Sequence, residues 1–259
     1  MKLPKISIIT PCLNQGAWLE KTILSVLDQG YPNLEYIIID GGSNDASVEI
    51  IQKYESQIKY WVSEKDKGQS HALNKGFAKA TGNILAWINS DDWYEPNTFE
   101  IVSRAFNDPA IDIVAGNCRM VYEGAPEMNF TDKPGDINFR RLTKYWKHFF
   151  CPPQPSIFFR KTVLDKVGLL DESLHYGMDL DLWLRIAKDH HFHHVDELLS
   201  NYLVHATSKT GTSNGFEAFR PEWKKVVERH IKDAPLLEKL TFWWERRKHY
   251  QQLRKSTNV

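Results

Sequence analysis

The chain has 259 residues, of which 42% are hydrophobic and 25% charged, and its 33 basic and 33 acidic side chains cancel. That length and balance suit one large globular domain, or one domain with an appended helical tail. A neutral total excludes the basic footprint of bulk nucleic-acid binding, so no nucleic-acid partner is expected.

Cys12, Cys118 and Cys151 lie far apart and form no CxxC pair. They read as ordinary thiols of a reducing compartment rather than a disulfide or zinc framework. The opening MKLPKISIITP is too weakly apolar for a signal peptide, and no run approaches about 18 apolar residues. A cytoplasmic location is expected, where the sequon at Asn129-Phe130-Thr131 carries no weight.

The first hundred residues alternate strand and helix signals. Ile6-Ser7-Ile8-Ile9-Thr10 is a short apolar run ended by Pro11, which suits a buried strand. Trp18, Leu19, Ile23, Val26 and Leu27 recur at helical spacing until Gly30 and Pro32 stop the pattern. A second strand at Tyr36–Ile39 is cut by Asp40-Gly41-Gly42-Ser43. A helix through Val48, Ile51 and Tyr54 follows, then a strand at Tyr60–Val62, a helix over Ser70–Ala80 and a strand at Ile84–Ile88. This alternation predicts right-handed crossovers and a Rossmann-like, mostly parallel central sheet covered on both faces by helices. Ligands of such sheets bind at the carboxyl ends of the strands. Three polar clusters sit there: Thr10-Pro11, Asp40-Gly41-Gly42 and Asn89-Ser90-Asp91-Asp92.

The second half is less regular. Ile111–Val121 and Pro155–Phe159 read as strands, Leu180–Ala187 as a helix, and Gly124–Gly135 as a loop. From about Glu217 onward the pattern is helical, with Pro235 starting a final helix. The expected organisation is a catalytic domain over 1–215, with a nucleotide-binding half (1–110) and an acceptor-binding half (111–215), and a C-terminal helical extension over 216–259.

Asp91 and Asp92 follow an apolar strand directly, so two acids stand at the rim of a buried sheet. They repel each other unless a cation or hydrogen-bond donors compensate. A divalent ion such as Mg²⁺ or Mn²⁺, taking one or two carboxylates plus phosphate oxygens, would do so; an acid capping the helix near Pro96 is the simpler alternative. Asp40 can accept hydrogen bonds from a base or ribose, its glycines allowing close backbone approach, or can simply close a tight turn. His205 ends a strand and is either a satisfied histidine or a group returned to a diphosphate. The run His190-His191-Phe192-His193-His194 lacks tetrahedral ligand spacing, which argues against a metal site. Asp179 and Asp181 either favour a helix start, or Asp179 serves as a general base.

Taken together these pieces resemble the large inverting glycosyltransferase family 2, with its GT-A fold, from about residue 4 to 210. The markers are Ile8-Ile9-Thr10-Pro11 with Asn14, Ile39-Asp40-Gly41-Gly42-Ser43 with Asp45, and Ser63-Glu64-Lys65-Asp66-Lys67-Gly68 with Ala72-Leu73-Asn74-Lys75-Gly76. Asn89-Ser90-Asp91-Asp92 and Met178-Asp179 complete them. The resemblance implies a transferase moving a sugar from a nucleotide-sugar, UDP being commonest among relatives, to an acceptor hydroxyl of a glycan or a lipid-linked sugar. It implies Thr10, Pro11, Asn14, Asp40, Gly41, Lys65, Asp66, Asn74, Ser90 and Asp91 for the nucleotide, Asp92 and His205 for a divalent cation (Mn²⁺ or Mg²⁺), and Asp179 as catalytic base. Met178 stands where the family's usual glutamate precedes the base. The Gln-x-x-Arg-Trp motif of processive synthases is absent, which implies transfer of one sugar or very few.

Other readings fare worse. The first strand is not followed by GxGxxG, no GxxxxGK[ST] occurs, and the Gly-rich loop of a nucleotidyltransferase is missing. A binding or scaffold protein that has lost turnover is the non-enzyme alternative, against which the presence of both Asp92 and Asp179 argues. Finally, Leu236–Lys255 carries Lys239, Arg246, Arg247, Lys248, Arg254 and Lys255 against Glu238 and Glu245, with Leu236, Leu240, Trp243, Trp244 and Tyr250 roughly on one helical face. That face either packs on the catalytic domain or a second subunit, as in a homo-oligomer, or makes a peripheral contact with the inner membrane surface.

Overall fold

The first strand, β1 (Ile6–Cys12), is buried along its whole length and shows how the layers arise. Successive side chains of a strand point to opposite faces. Ile6 and Ile8 pack with Leu19, Ile23 and Val26 of helix α1 (Leu19–Leu27), whereas Ile9 packs with Leu73 and Phe77 of helix α3 (Gln69–Lys79). A side chain at Gly76 of α3 would lie 2.4 Å from Ile9, so this helix rides directly on the strand. The computed structural model describes residues 3–146, 151–211 and 215–256.

Strand β2 (Leu34–Asp40), helix α2 (Ser47–Lys53), strand β3 (Tyr60–Ser63), α3 and strand β4 (Ile84–Trp87) complete the first half. The strands lie in the order β3-β2-β1-β4, all pairs parallel, as crossover helices require. Beyond β4 the same nine-stranded sheet becomes mixed. Two-residue β5 (Trp93–Tyr94) leads into helix α4 (Thr98–Ala105), and β6 (Ile113–Tyr122) follows. After short helix α5 (Phe139–Leu142), β8 (Ile157–Arg160) lies antiparallel to both β4 and β6, and helix α6 (Lys161–Val167) follows it.

Strand β9 (Phe192–Val204) runs parallel to β6 and also pairs with β5. Its register shifts between Ala115 and Cys118, where Leu199 crosses so close that a side chain at Gly116 would meet it at 2.3 Å. The segment 124–135, expected as loop, contains strand β7 (Phe130–Asp132), paired antiparallel to Cys118–Met120. The overhang of β6 offers hydrogen-bonding groups that a three-residue Phe-Thr-Asp strand satisfies, a tertiary cause invisible to local pattern.

Helices α7 (Met178–Ile186) and α8 (Arg220–Lys232) cover the sheet near Trp87, whose ring stacks on Trp183 at 5.4 Å. Asp181 ties them together: Oδ1 lies 2.5 Å from Arg229 and 2.8 Å from His230, while Oδ2 accepts from Arg185 at 3.0 Å. Burial opposes its charge, but His230, Arg185 and Arg229 outweigh that and hold the carboxyl at about 2. The last helix, α9 (Leu236–Ser256), docks through Phe242, which packs on Trp146. No helix among the described residues is long and apolar enough to cross a membrane.

Candidate active site

The carboxyl ends of β1 and β4, the start of α3, the segment before α7 and the turn after β9 enclose a cavity of about 380 Å³. That is ample for a small-molecule ligand. Pro11, Asp66, Ser90, Asp91 and Asp179 line it.

Asp91 and Asp92 diverge. Asp91 lines the cavity, and its Oδ2 lies 3.1 Å from Nε2 of His205, delivered by the end of β9. The imidazole is fixed on two further sides: Trp18 lies 3.9 Å from it, centroid to centroid, and the Thr207 hydroxyl lies 3.0 Å from Nδ1. Asp92 is 1% exposed, and both of its oxygens are used. Oδ1 accepts from Leu203 N–H at 2.9 Å and Oδ2 from Asn89 at 3.1 Å. Burial, and then the charge of Asp91, push its carboxyl well above the ordinary range. Through these bonds Asp92 braces β4 to β9, and the acid that lines the cavity beside His205 is Asp91.

The Asp91–His205 pair offers one carboxylate and one imidazole, a donor set that suits a divalent ion drawing its other ligands from phosphate oxygens and water. Among the described residues no group of three or more His, Cys, Asp or Glu side chains is arranged to hold a metal by protein alone. That includes the histidine-rich run: His190 pairs with Asp112 at 2.8 Å and His194 with Asn117 at 3.1 Å.

Asp179 opens α7 and lines the opposite wall. Burial raises its carboxyl above the ordinary value, against the opposing effects of the Leu180 N–H at 2.7 Å and the Cys151 thiol at 3.4 Å. A raised carboxylate in a cavity is a better proton acceptor near neutral pH than an exposed one. Met178 also lines the cavity, its sulfur accepting from the Ser70 hydroxyl at 2.8 Å, so this wall carries a thioether where the family usually has a glutamate.

The remaining expected residues do not line the cavity. Thr10 is buried against the Tyr36 hydroxyl at 3.0 Å. Asn14, at φ 53°, fastens the β1 loop to the β2 loop by accepting from Asn44 N–H at 2.9 Å. Asp40, fully buried, accepts from Gly42 and Ser43 N–H groups and from the hydroxyls of Ser43 and Ser63. It organises its own turn. Gly41 leaves room for Asp66, whose carboxylate a side chain there would meet at 2.6 Å. Lys65 is exposed beside Gly42. Asn74 is turned away: its amide donates to Leu170 O and Glu172 at 3.0 Å and accepts from Leu170 N–H, tying α3 to the loop before α7. Both ends of the amide are thus engaged outside the cavity.

Gln69, His175, Tyr176 and Lys209 are among the lining residues that escaped the sequence reading. Lys209 donates to Gln69 at 2.9 Å and to His175 O at 2.7 Å, and Gln69 donates to Asn89 at 2.7 Å. Asn89 in turn donates to Asp92, so one hydrogen-bonded chain joins the turn after β9 to the ends of β4 and α3. Burial lowers the Lys209 ammonium, while Asp179 and Glu222 work the other way. The one signal in the sequence was a cation four residues beyond His205 in the same turn.

A family model described as Glycosyl transferase family 2 matches residues 7–168. An uncharacterised glycosyltransferase of Rickettsia typhi is 29% identical over 91% of this chain and 76% of its own length. TuaG of Bacillus subtilis, whose name assigns it to teichuronic acid biosynthesis as a glycosyltransferase, is 31% identical over 85% of this chain and 86% of its own. Among solved structures, Staphylococcus aureus TarS 1–349 in complex with UDP-GlcNAc superposes with a TM-score of 0.70 at 17% identity, covering 90% of this chain and 68% of that one. The mannosyltransferase PcManGT of Pyrobaculum calidifontis, in complex with GDP-Man and Mn²⁺, gives 0.62 at 15% identity over 100% and 84%. These likenesses show the GT-A fold.

Proposed function

Since the chain belongs to glycosyl transferase family 2, we propose that it moves one sugar from a nucleotide-sugar, a UDP-sugar before others, to an acceptor hydroxyl with inversion, for glycan or polysaccharide synthesis. The observation that carries this reading is that Asp91, backed by His205, and Asp179 line one cavity.

The nucleoside would lie against Pro11, Asp66 and Ser90, over loops held by Asp40 and Asn14. Asp91 Oδ2 and His205 Nε2 would hold a divalent ion, Mn²⁺ or Mg²⁺, which when bound supplies positive charge against the donor diphosphate. Lys209, held in the same cavity by Gln69, adds a cation of the chain's own. Asp179 takes the acceptor hydroxyl's proton as that oxygen bonds to the anomeric carbon. The bond from that carbon to the diphosphate breaks, and its electron pair leaves with the nucleoside diphosphate. With Met178 in place of a second acid, a single carboxylate serves the acceptor, a hydroxyl of a glycan or of a lipid-linked sugar.

Thermal-shift screening of UDP-, GDP- and dTDP-sugars with and without Mn²⁺ tests the donor reading, because a bound ligand stabilises the fold by mass action. A Mn²⁺-dependent rise in Tm with a UDP-sugar supports it. No shift with any nucleotide-sugar at millimolar concentration, together with no transfer or donor hydrolysis, removes it.

A further inference from the structure

Helix α9 has two unlike sides. Its inner side is fixed by Phe242 against Trp146, by Glu245 paired with Arg140 and Lys144, and by Arg246 donating to Glu228 at 2.9 Å. Glu238 lies beside Phe242 and Glu245 in a shallow recess on that same side. The outer side leaves large apolar groups in solvent: Leu237 is 74% exposed, Leu236 71%, Trp244 62% and Leu240 60%. Trp243 and Tyr250 are also exposed, and at about 3.6 residues per turn all six fall within less than half of the circumference. Arg247 and Lys248 lie in or beside that arc, with Lys248 5.1 Å over the Trp244 ring. Arg254 and Lys255 lie outside the residues whose side chains are described.

The charge distribution chooses the occupant. Both acids of 236–252, Glu238 and Glu245, face inward, so the outer arc pairs leucine and tryptophan with positive charge alone. A second copy packed on this face would bury Arg247 and Lys248 with no acid of the outer arc to meet them. An anionic bilayer satisfies every group at once: leucine and tryptophan enter the headgroup–acyl boundary, and the cations meet phosphates. We propose that α9 is a membrane-surface helix that holds this enzyme reversibly on anionic lipid through Leu236, Leu237, Leu240, Trp243, Trp244 and the flanking Arg247 and Lys248.

Co-sedimentation of the full chain with vesicles of phosphatidylglycerol and phosphatidylcholine, against phosphatidylcholine alone, tests this. Binding is expected to the anionic vesicles at low salt and to fall sharply at high salt. Arg247→Gln with Lys248→Gln should weaken it about 30-fold, some fivefold for each charge near the surface. Leu240→Ser with Trp244→Ser should abolish it. All four side chains face solvent, so unchanged melting shows that the variants remain folded. The proposal fails if the full chain ignores anionic vesicles at low salt, or if both double variants bind like the parent. It also fails if sedimentation finds a dimer that Leu240→Ser with Trp244→Ser dissociates while vesicles are not bound, which would give this face to a second copy.

Discussion

The two walls of the cavity are built on opposite plans. The side proposed to take the donor comes from parallel strands whose end loops are tied to one another: Asp40 closes the β2 turn, Asn14 links it to β1, and the Asp45 carboxylate accepts from Gly16 N–H at 2.8 Å. The side proposed to receive the acceptor is made of irregular segments, residues 151–156 and 174–177, pinned from behind by α7 and α8. In the first region Asp40 and Asp45 serve as acceptors that hold loops, while Asp91 faces the cavity with His205 as its partner. In the second, burial keeps an acid basic. An acid in this protein is thus sorted between loop-holding and cavity-facing work by the partners that reach it.

The sharpest way to break that comparison is at Asp179. Asp179→Asn should lower transfer on the order of 10²–10⁴-fold while nucleotide-sugar binding persists. Because its carboxyl is raised above the ordinary value of 3.8, and only the ionised form accepts a proton, the acid limb of kcat/KM should fall away at a pH above that value. An equal loss of donor affinity in the variant, measured by calorimetry, would make Asp179 a helix-start acid and nothing more.

A second pair of variants separates neighbours in the chain. Asp91→Asn should cost on the order of 10²-fold in turnover and remove the Mn²⁺ dependence of donor binding. Asp92→Asn should leave that dependence in place and instead lower stability by about 1–3 kcal/mol, the cost of disturbing a buried acceptor. The reverse pattern in a Mn²⁺ titration would return the metal to Asp92.

Behind the acceptor wall, Asp181→Asn should destabilise the fold by about 3–5 kcal/mol, since it leaves charged partners facing a neutral amide in a buried site. Its carboxyl is depressed to about 2, so its contribution is present at neutral pH and disappears as pH falls from about 3.9 towards that value. Urea melts at pH 7 and pH 2.5 should therefore differ between parent and variant far more at the higher pH. Smallest is Asn74→Ala, expected to cost about 1–3 kcal/mol in the same assay with donor affinity retained, because its amide joins α3 to the loop at Leu170.

The parallel half was legible because its causes are local. Apolar runs of four to five residues, helical spacing and glycine turns announce β1 to β4 without reference to distant residues. Asp91 stands out at a strand end in the same way, whereas Asp179 and His205 each keep a structural alternative that local pattern leaves open. What distinguishes Asp91 from Asp92 is an N–H supplied by Leu203, 111 residues further along, and no local pattern carries that. The contacts of Asn74 are hidden for the same reason, its partners being 96 and 98 residues away. Lys209 was overlooked because a turn has no period, and β7 because its only cause is the overhanging edge of β6.

Glu222 has a consequence of its own. From the first turn of α8 its carboxylate accepts from the N–H groups of His175, Tyr176 and Gly177, the last at 2.6 Å, where the chain enters α7. A helix begins with a fractional positive charge, about half a unit, and Asp179 sits in that first turn. Left alone, this field would favour the ionised acid and drain its appetite for a proton. A carboxylate laid across the three amides just before that turn opposes the field, so the clamp that fastens α8 to the entry of α7 also sets negative charge near the proposed base. Through Glu228 and Arg246 the same helix α8 also carries α9, so one element joins the outermost helix to the entry of α7.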